Sequence, residues 1–316
     1  MYDIIIIGGG PAGLTAGLYA ARAKKKTLII EKGIEGGQVA ETTGIENYPG
    51  IDKIDGAELG MKMAEQAKNF GAKIVMDEVE SVDLTGDVKK IKGTVDEYEA
   101  KSVIIATGAN PREIGAPGER EYKGRGVSYC SICDAAFYEG EDVYVIGGGD
   151  SAVQEAIFIT NFAKKVYIVH RRDELRASKD LQEKAFNNDK IDFIWNSEVV
   201  EIKGDKVVNE MILKNNKTGK TQSITSDDPF GIFVFIGYVP NTELFKDQVN
   251  ISDNGYIITD DEMKTNLPGV FAAGDIRNKT VRQIVNAAGD GAIASINAQK
   301  YIDEAEGNLY EGFKEE

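Results

Sequence analysis

Residues Tyr2 to Ile7 form an apolar run that stops at Gly8-Gly9-Gly10-Pro11-Ala12-Gly13; a helical pattern then runs to about Lys24, followed by a second apolar run, Thr27 to Glu31. Short apolar runs bounded by glycines predict strands buried on both faces. The same order returns later. Asp142 to Ile146 predicts a strand, Gly147-Gly148-Gly149-Asp150-Ser151-Ala152 a turn, residues to about Phe162 a helix, and Val166 to Val169 the next strand. Two further runs, Val103 to Ala106 and Ile232 to Ile236, end in Thr107-Gly108-Ala109-Asn110-Pro111 and Gly237-Tyr238-Val239-Pro240-Asn241. After Asn241 no third copy begins. A short strand around Tyr256 to Ile258, the run Val270 to Gly274-Asp275 and a helix from about Arg282 to Glu304 would complete the first unit. Residues 79–98 and 199–224 alternate apolar and polar positions around turn residues, which predicts small antiparallel sheets.

Strand, glycine turn, helix, strand is the plan of a Rossmann-like dinucleotide-binding domain. Gly8 permits the tight turn, Gly10 lets a pyrophosphate approach the helix N-terminus, Gly13 lets helix and strand pack closely, and Pro11 suits the first helical turn. Glu31 stands 23 residues after Gly8, where a carboxylate accepts bonds from a ribose hydroxyl. The same count from Gly147 reaches His170, followed by Arg171 and Arg172, with Arg176 nearby. A carboxylate would repel a 2′-phosphate, whereas guanidinium groups grip it bidentately. The first unit therefore reads as binding an adenosine with a free 2′-OH, and the second as binding NADPH. The fold class expected is α/β, with two Rossmann-like domains, the second inserted into the first, and small antiparallel sheets. The boundaries fall at 1–112, 113–241 and 242–316.

Composition narrows the chemistry. A length of 316 residues suits two domains, and a net charge of −15 argues against nucleic acid and anionic membranes as partners. No run approaches the roughly 20 apolar residues of a membrane helix, and the N-terminus lacks a basic, cleavable leader, so a cytoplasmic protein is expected. The two cysteines stand as Cys130-Ser131-Ile132-Cys133. They cannot build a secreted disulfide framework. With His170 as the only histidine, a zinc site would have to be finished by carboxylates, so no metal is expected and a redox dithiol is favoured.

Taken together, Gly8 to Gly13, Gly36-Gly37-Gln38, Thr42 to Gly50, Ala106-Thr107-Gly108, Cys130 to Asp134, Gly147 to Ala152, His170-Arg171-Arg172, Gly274-Asp275 and Arg282-Gln283 resemble the low-molecular-weight, bacterial-type NADPH-dependent thioredoxin reductases over essentially the whole chain. The resemblance implies a homodimer with non-covalent FAD in the first domain. The contacts it implies for FAD are Gly8, Gly10, Pro11, Ala12, Gly13, Glu31, Lys32, Gly36, Gly37, Gln38, Asn47, Val79, Ala106, Thr107, Gly108, Gly274, Asp275, Arg282, Gln283 and Ile284. For NADPH they are Gly147, Gly149, Asp150, Ser151, Ala152, Glu155, His170, Arg171, Arg172 and Arg176. It further implies that Cys133 faces the flavin, that Cys130 attacks the disulfide of thioredoxin or a similar dithiol protein, and that Asp134 moves the protons.

From the residues alone, a carboxylate beside the pair is a natural proton carrier when the single histidine serves the nucleotide, though an acid there could equally be a helix N-cap. One departure stands out. Where the family has a glycine and two aromatics after the aspartate, this chain has Ala135-Ala136-Phe137, which weakens the inference to a particular partner. Two alternatives share the fold: a ferredoxin-dependent flavin thioredoxin reductase, which would not be expected to keep the second glycine turn with its arginines, and a nucleotide-binding redox sensor without turnover. A related ferredoxin-NADP reductase would need no cysteine pair.

Overall fold

The computed structural model describes residues 1–41, 45, 47–226 and 228–308. Its contacts divide the chain into two units, Met1–Asn110 with Val239–Glu316, and Pro111–Tyr238.

The first unit opens with β1 (Tyr2–Ile7), α1 (Pro11–Arg22) and β2 (Thr27–Glu31), followed by α2 (Gly56–Asn69) and β3 (Lys73–Met76). Then come β4 (Val79–Asp83), β5 (Lys89–Gly93), β6 (Glu97–Ile105) and the short β7 (Ala109–Pro111). β1 runs parallel to both β2 and β6. Successive strand residues face opposite sides, so Ile4 and Ile6 pack with alanines of α1 while Ile5 and Ile7 enter a second core on the other face. Burial on both sides is why the run is apolar without alternation.

The alternating stretch 79–98 is not a separate sheet, as the sequence suggested. Its strands β4 and β5 pair antiparallel and continue through β6 into the parallel sheet. One nine-residue strand thus serves both ladders.

The second unit contains β8 (Val127–Ser128), α3 (Ser131–Asp134), β9 (Asp142–Ile146), α4 (Asp150–Ile159), β10 (Lys165–Val169), α5 (Lys179–Phe186) and β11 (Ile191–Ile194). It continues with β12 (Ser197–Gly204), β13 (Val208–Asn215), β14 (Thr221–Thr225) and β15 (Gly231–Val234). The parallel sheet has the order β11-β10-β9-β15-β8, and β12-β13-β14 form the antiparallel sheet expected near 199–224.

The chain then returns through β16 (Tyr238–Pro240), which pairs with β7, to β17 (Val270–Ala272) and α6 (Ile284–Ala305). β17 joins β6 in parallel, with Val270 opposite Val103. α6 lies tightly on α1: a Cβ on Gly291 would stand 2.1 Å from the carbonyl oxygen of Ala12. Tyr256 to Ile258, expected as a strand, makes only isolated bridges, from Ile257 to Ile251 and Arg277. α4 closes at Ile159 rather than Phe162, with Thr160 as its C-cap.

Candidate active site

The first glycine turn separates its glycines by task. Gly8 has a φ of 109°, and a Cβ there would lie 2.4 Å from the carbonyl oxygen of Ala106. A Cβ on Gly13 would stand 1.9 Å from the oxygen of Gly8, so α1 sits directly on the turn. Around Gly10 there is open space instead, with the nearest atom 4.0 Å from its Cβ position. Gly10 is the N-cap of α1 and Pro11 begins the helix, with no acidic side chain in the first turn. An open backbone edge at a helix N-terminus is what a pyrophosphate requires. Glu31 closes the turn: its carboxylate accepts from Gly9 N at 2.5 Å and from Gly33 N at 2.7 Å, leaving lone pairs for a ribose hydroxyl.

Of the other first-unit positions, Gly36 and Gly37 lie directly against this turn. Gly36 donates its N–H to Gly9 O at 2.8 Å, and the Cβ position of Gly37 lies 3.2 Å from Gly10 Cα. Gln38 Nε2 donates to Ala109 O and to Asn110 Oδ1, while Asn47 Nδ2 donates to Gln283 Oε1 at 3.1 Å. Thr107 and Asn241 hold each other through two bonds, Thr107 Oγ1 to Asn241 O and Asn241 Nδ2 to Thr107 O. Gly108 follows with a φ of 67°. Ala12, Val79 and Ala106 are buried packing positions, Lys32 is exposed and 3.7 Å from Glu78, and Ile284 packs beside Ile45 and Leu59. Gly274 and Asp275 form a short 3-10 turn ahead of α6. Burial pushes the Asp275 carboxyl up, while Lys279, 3.3 Å away, and Arg282 pull it down. The Arg282 guanidinium stacks 4.4 Å over the ring of Tyr256. Thr42, Thr43, Gly44 and Glu46 of the family-like motif lie outside the described residues.

The second turn repeats the design with different chemistry. Gly147 has a φ of 154°, and a Cβ there would lie 2.5 Å from Phe235 O; around Gly149, the N-cap of α4, there is nothing within 4 Å. Asp150 accepts from Ser178 N at 2.7 Å, Ser151 is exposed, and Ala152 is buried. His170 sits where Glu31 sits in the first unit, but its ring is buried behind Gly148 and Nε2 has no hydrogen-bond partner among the described residues. Burial, then the charges of Arg176, Arg172 and Arg171, push its imidazole below the usual range. The histidine therefore does not join an exposed basic trio. Arg171, Arg172 and Arg176 are the exposed cations, and among the described residues no carboxylate pairs with them. Unpaired guanidinium groups beside an open glycine edge fit a phosphorylated dinucleotide.

Cys130 and Cys133 are joined in a disulfide with their Cα atoms 5.3 Å apart. Cys130 is the N-cap of α3, and its Sγ accepts from Cys133 N at 3.2 Å. Asp134 is therefore not that helix's cap. Its half-buried carboxylate accepts from Ser128 Oγ at 2.5 Å; burial raises its pKa, and this bond offsets that rise only in part. Glu155, expected at the nucleotide, accepts from Oγ of Ser131, the residue after Cys130. Ile132, between the cysteines, and Phe137, four residues after the second, are 47% and 58% exposed.

Three polar residues around these sites carry no motif. Ser128 holds Asp134. Glu119, 1% exposed, accepts from Ile114 N, Gly115 N and Tyr129 Oη, anchoring the residue before Cys130. Asp290 on α6 accepts from Gly274 N at 3.0 Å and pairs with Arg277 and Lys279, fixing the turn that carries Asp275. Nothing in the sequence marks them, because burial and backbone donors around a polar side chain are visible only in the fold.

The sequence profile of the family described as "Pyridine nucleotide-disulphide oxidoreductase" matches residues 2–291. The chain is 56% identical over 307 residues to a thioredoxin reductase of Peptoclostridium acidaminophilum, covering 96% of this chain and 98% of the relative. It is 48% identical to that of Bacillus subtilis strain 168, covering 98% and 97%. The crystal structure of thioredoxin reductase from Streptococcus pyogenes MGAS5005 superposes with a TM-score of 0.89 at 50% identity, covering 96% of this chain and 99% of that one. On the family match over residues 2–291 and the near-full-length similarity to these relatives, the chain belongs to the pyridine nucleotide-disulphide oxidoreductases and, within them, to the bacterial-type thioredoxin reductases.

Proposed function

We propose that the first unit holds FAD against its open Gly10 edge, that the second holds NADPH at Gly149 with Arg171, Arg172 and Arg176 on the 2′-phosphate, and that the Cys130–Cys133 disulfide relays two electrons to a protein disulfide. FAD and NADPH are the cofactors of this family, and the enzyme is a thioredoxin-disulfide reductase. When bound, NADPH supplies a hydride and FAD carries its electron pair to the disulfide, the hard redox chemistry belonging to the cofactors. The rest is done by the chain. Once reduced, Cys130 passes its proton to Asp134 and its sulfur bonds to one sulfur of the partner; the partner's S–S bond breaks and its released sulfur takes that proton back from Asp134. Cys133 then attacks the Cys130 sulfur of the mixed disulfide, re-forming the internal bond and releasing the partner's second thiol, which takes the proton Cys133 gives up. The balance is one NADPH and one proton consumed, one partner disulfide converted to two thiols.

The observation that carries this reading is the disulfide placed directly before a half-buried carboxylate, in the same unit as an open glycine turn with three arginines that no carboxylate pairs among the described residues. An electron relay and a proton carrier together are what thiol exchange needs. We read the partner as thioredoxin, with exposed Ile132 between the cysteines, exposed Phe137 shortly after them, and Ala136 contributing no aromatic surface. We also read the enzyme as a homodimer, for which the exposed Val285, Ile293 and Ile296 of α6 offer an apolar face. No helix among the described residues is long and apolar enough to cross a membrane, and a cytoplasmic site of action is proposed because thioredoxin keeps cytosolic thiols reduced. The test is turnover with NADPH and purified thioredoxins. A ferredoxin-dependent enzyme would leave NADPH unoxidised, and a non-catalytic sensor would bind it without turnover.

A further inference from the structure

Ser128 is 4% exposed at the end of β8, the edge strand of the second unit, where its backbone pairs opposite Phe233. Its hydroxyl meets three groups of the cysteine helix: Asp134 Oδ2 at 2.5 Å, Cys130 N at 3.1 Å and Cys130 O at 3.3 Å. A hydroxyl has one proton to donate and two lone pairs with which to accept. While Asp134 is ionised, that proton goes to the carboxylate and a lone pair receives the N–H of Cys130. When Asp134 holds a proton, the hydroxyl can receive it and turn its own toward Cys130 O. Both protonation states of the carboxyl are thus satisfied without moving the helix.

From this geometry we propose that Ser128 is a positioning residue for the proton transfers of the dithiol, holding Asp134 ionised and beside Cys130 until it accepts the thiol proton. The proposal rests on the reading of Asp134 as the proton carrier. The Tyr138 phenol is pushed up to about 12 by its own burial and by the charge of Asp134, so it stays protonated where a carboxyl titrates, and Glu155 of α4 accepts from Ser131 Oγ. The two thiols that it serves belong to the same helix, Cys130 as its N-cap and Cys133 directly before Asp134.

The experiment follows the oxidation of pre-reduced enzyme by a thioredoxin disulfide as a function of pH. It compares the parent with Ser128→Ala, Ser128→Thr and Asp134→Asn. Thermal midpoint and flavin content establish that each variant folds; should Ser128→Ala fail, Ser128→Gly removes the hydroxyl without adding an atom. Loss of a donor to an ionised carboxylate raises its pKa, so Ser128→Ala should move the acidic limb upward by about one to two pH units, and Ser128→Thr should restore it. Asp134→Asn should abolish that limb. If Asp134→Asn abolishes it and Ser128→Ala leaves it in place, the role of Ser128 is wrong and that of Asp134 stands. A limb that survives Asp134→Asn overturns both.

Discussion

The ring of His170 lies directly behind Gly148, with a Cβ at that glycine falling 2.4 Å from Cε1 and Nδ1. The matching pair in the first unit is Glu31 and Gly9, where the side chain accepts the glycine N–H. An ionised acid stabilises its turn that way; a buried imidazole serves only while neutral. In the unfolded chain it takes a proton near pH ~6.5, but in the folded protein its pKa lies lower. Its contribution to stability is therefore full above the unfolded value and is lost as pH falls through the folded one. The thermal midpoint should drop more steeply between pH 7 and 5 in the parent than in His170→Asn. Identical slopes in melting experiments would refute this.

Arg171 and Arg172 are exposed and have no acidic partner among the described residues, so neutral replacements should cost little stability. Each charge-assisted bond to a phosphate contributes about 1.5–3 kcal/mol, and the double replacement should reduce the preference for NADPH over NADH at least about tenfold. The loss should appear as a raised KM for NADPH with that for NADH nearly unchanged. Equal use of both nucleotides by the parent would sink the assignment.

Gly10 and Gly13 share a motif but not a role. With 4.0 Å of clearance, Gly10→Ala should fold with a near-parental melting midpoint while binding FAD at least about tenfold more weakly, since the added methyl occupies the space meant for the pyrophosphate. Gly13→Ala drives a methyl to 1.9 Å from a carbonyl oxygen and should destabilise the apoprotein by about 3 kcal/mol or more. Apoprotein melts and flavin titrations separate the two; a Gly10→Ala protein with parental flavin affinity would contradict the cradle.

Only the steps after flavin reduction need sulfur. Cys130→Ser and Cys133→Ser should each let NADPH bleach the flavin absorbance, yet lower disulfide turnover by at least about a thousandfold, because no covalent nucleophile pair remains. Stopped-flow absorbance is the readout. Normal flavin content with no bleaching would mean the pair acts earlier in the pathway than proposed.

Much of this was legible in sequence because glycine turns impose steric rules at fixed spacing. β1 and β2 begin and end where their apolar runs do, and the glycine offset locates both Glu31 and His170. The offset could not show that His170 faces inward, because depth behind a turn is set by packing rather than position. Residues 79–98 alternate whether or not their ladder stops, so only the structure reveals that β6 carries it into the main sheet. Tyr256 to Ile258 has strand-like residues but no neighbouring strand to complete a ladder. Ser128, Glu119 and Asp290 are ordinary polar residues until the sheet order and the turns bring backbone donors and cations around them.

The packing of α6 on α1 has a consequence for how the protein is made. Ala12, Ala16 and Ala20 are covered in part by Ala287, Ala294 and Ala298, from the far end of the chain. At ~5–20 residues per second, a ribosome needs about ten seconds or more to reach those positions after α1 emerges. During that interval Pro111–Tyr238, a continuous segment with its own core, can complete its folding, while the first unit waits with an uncovered alanine seam. Nascent chains stalled shortly after Tyr238 should therefore display a protease-resistant second unit beside an N-terminal segment that chaperones still recognise.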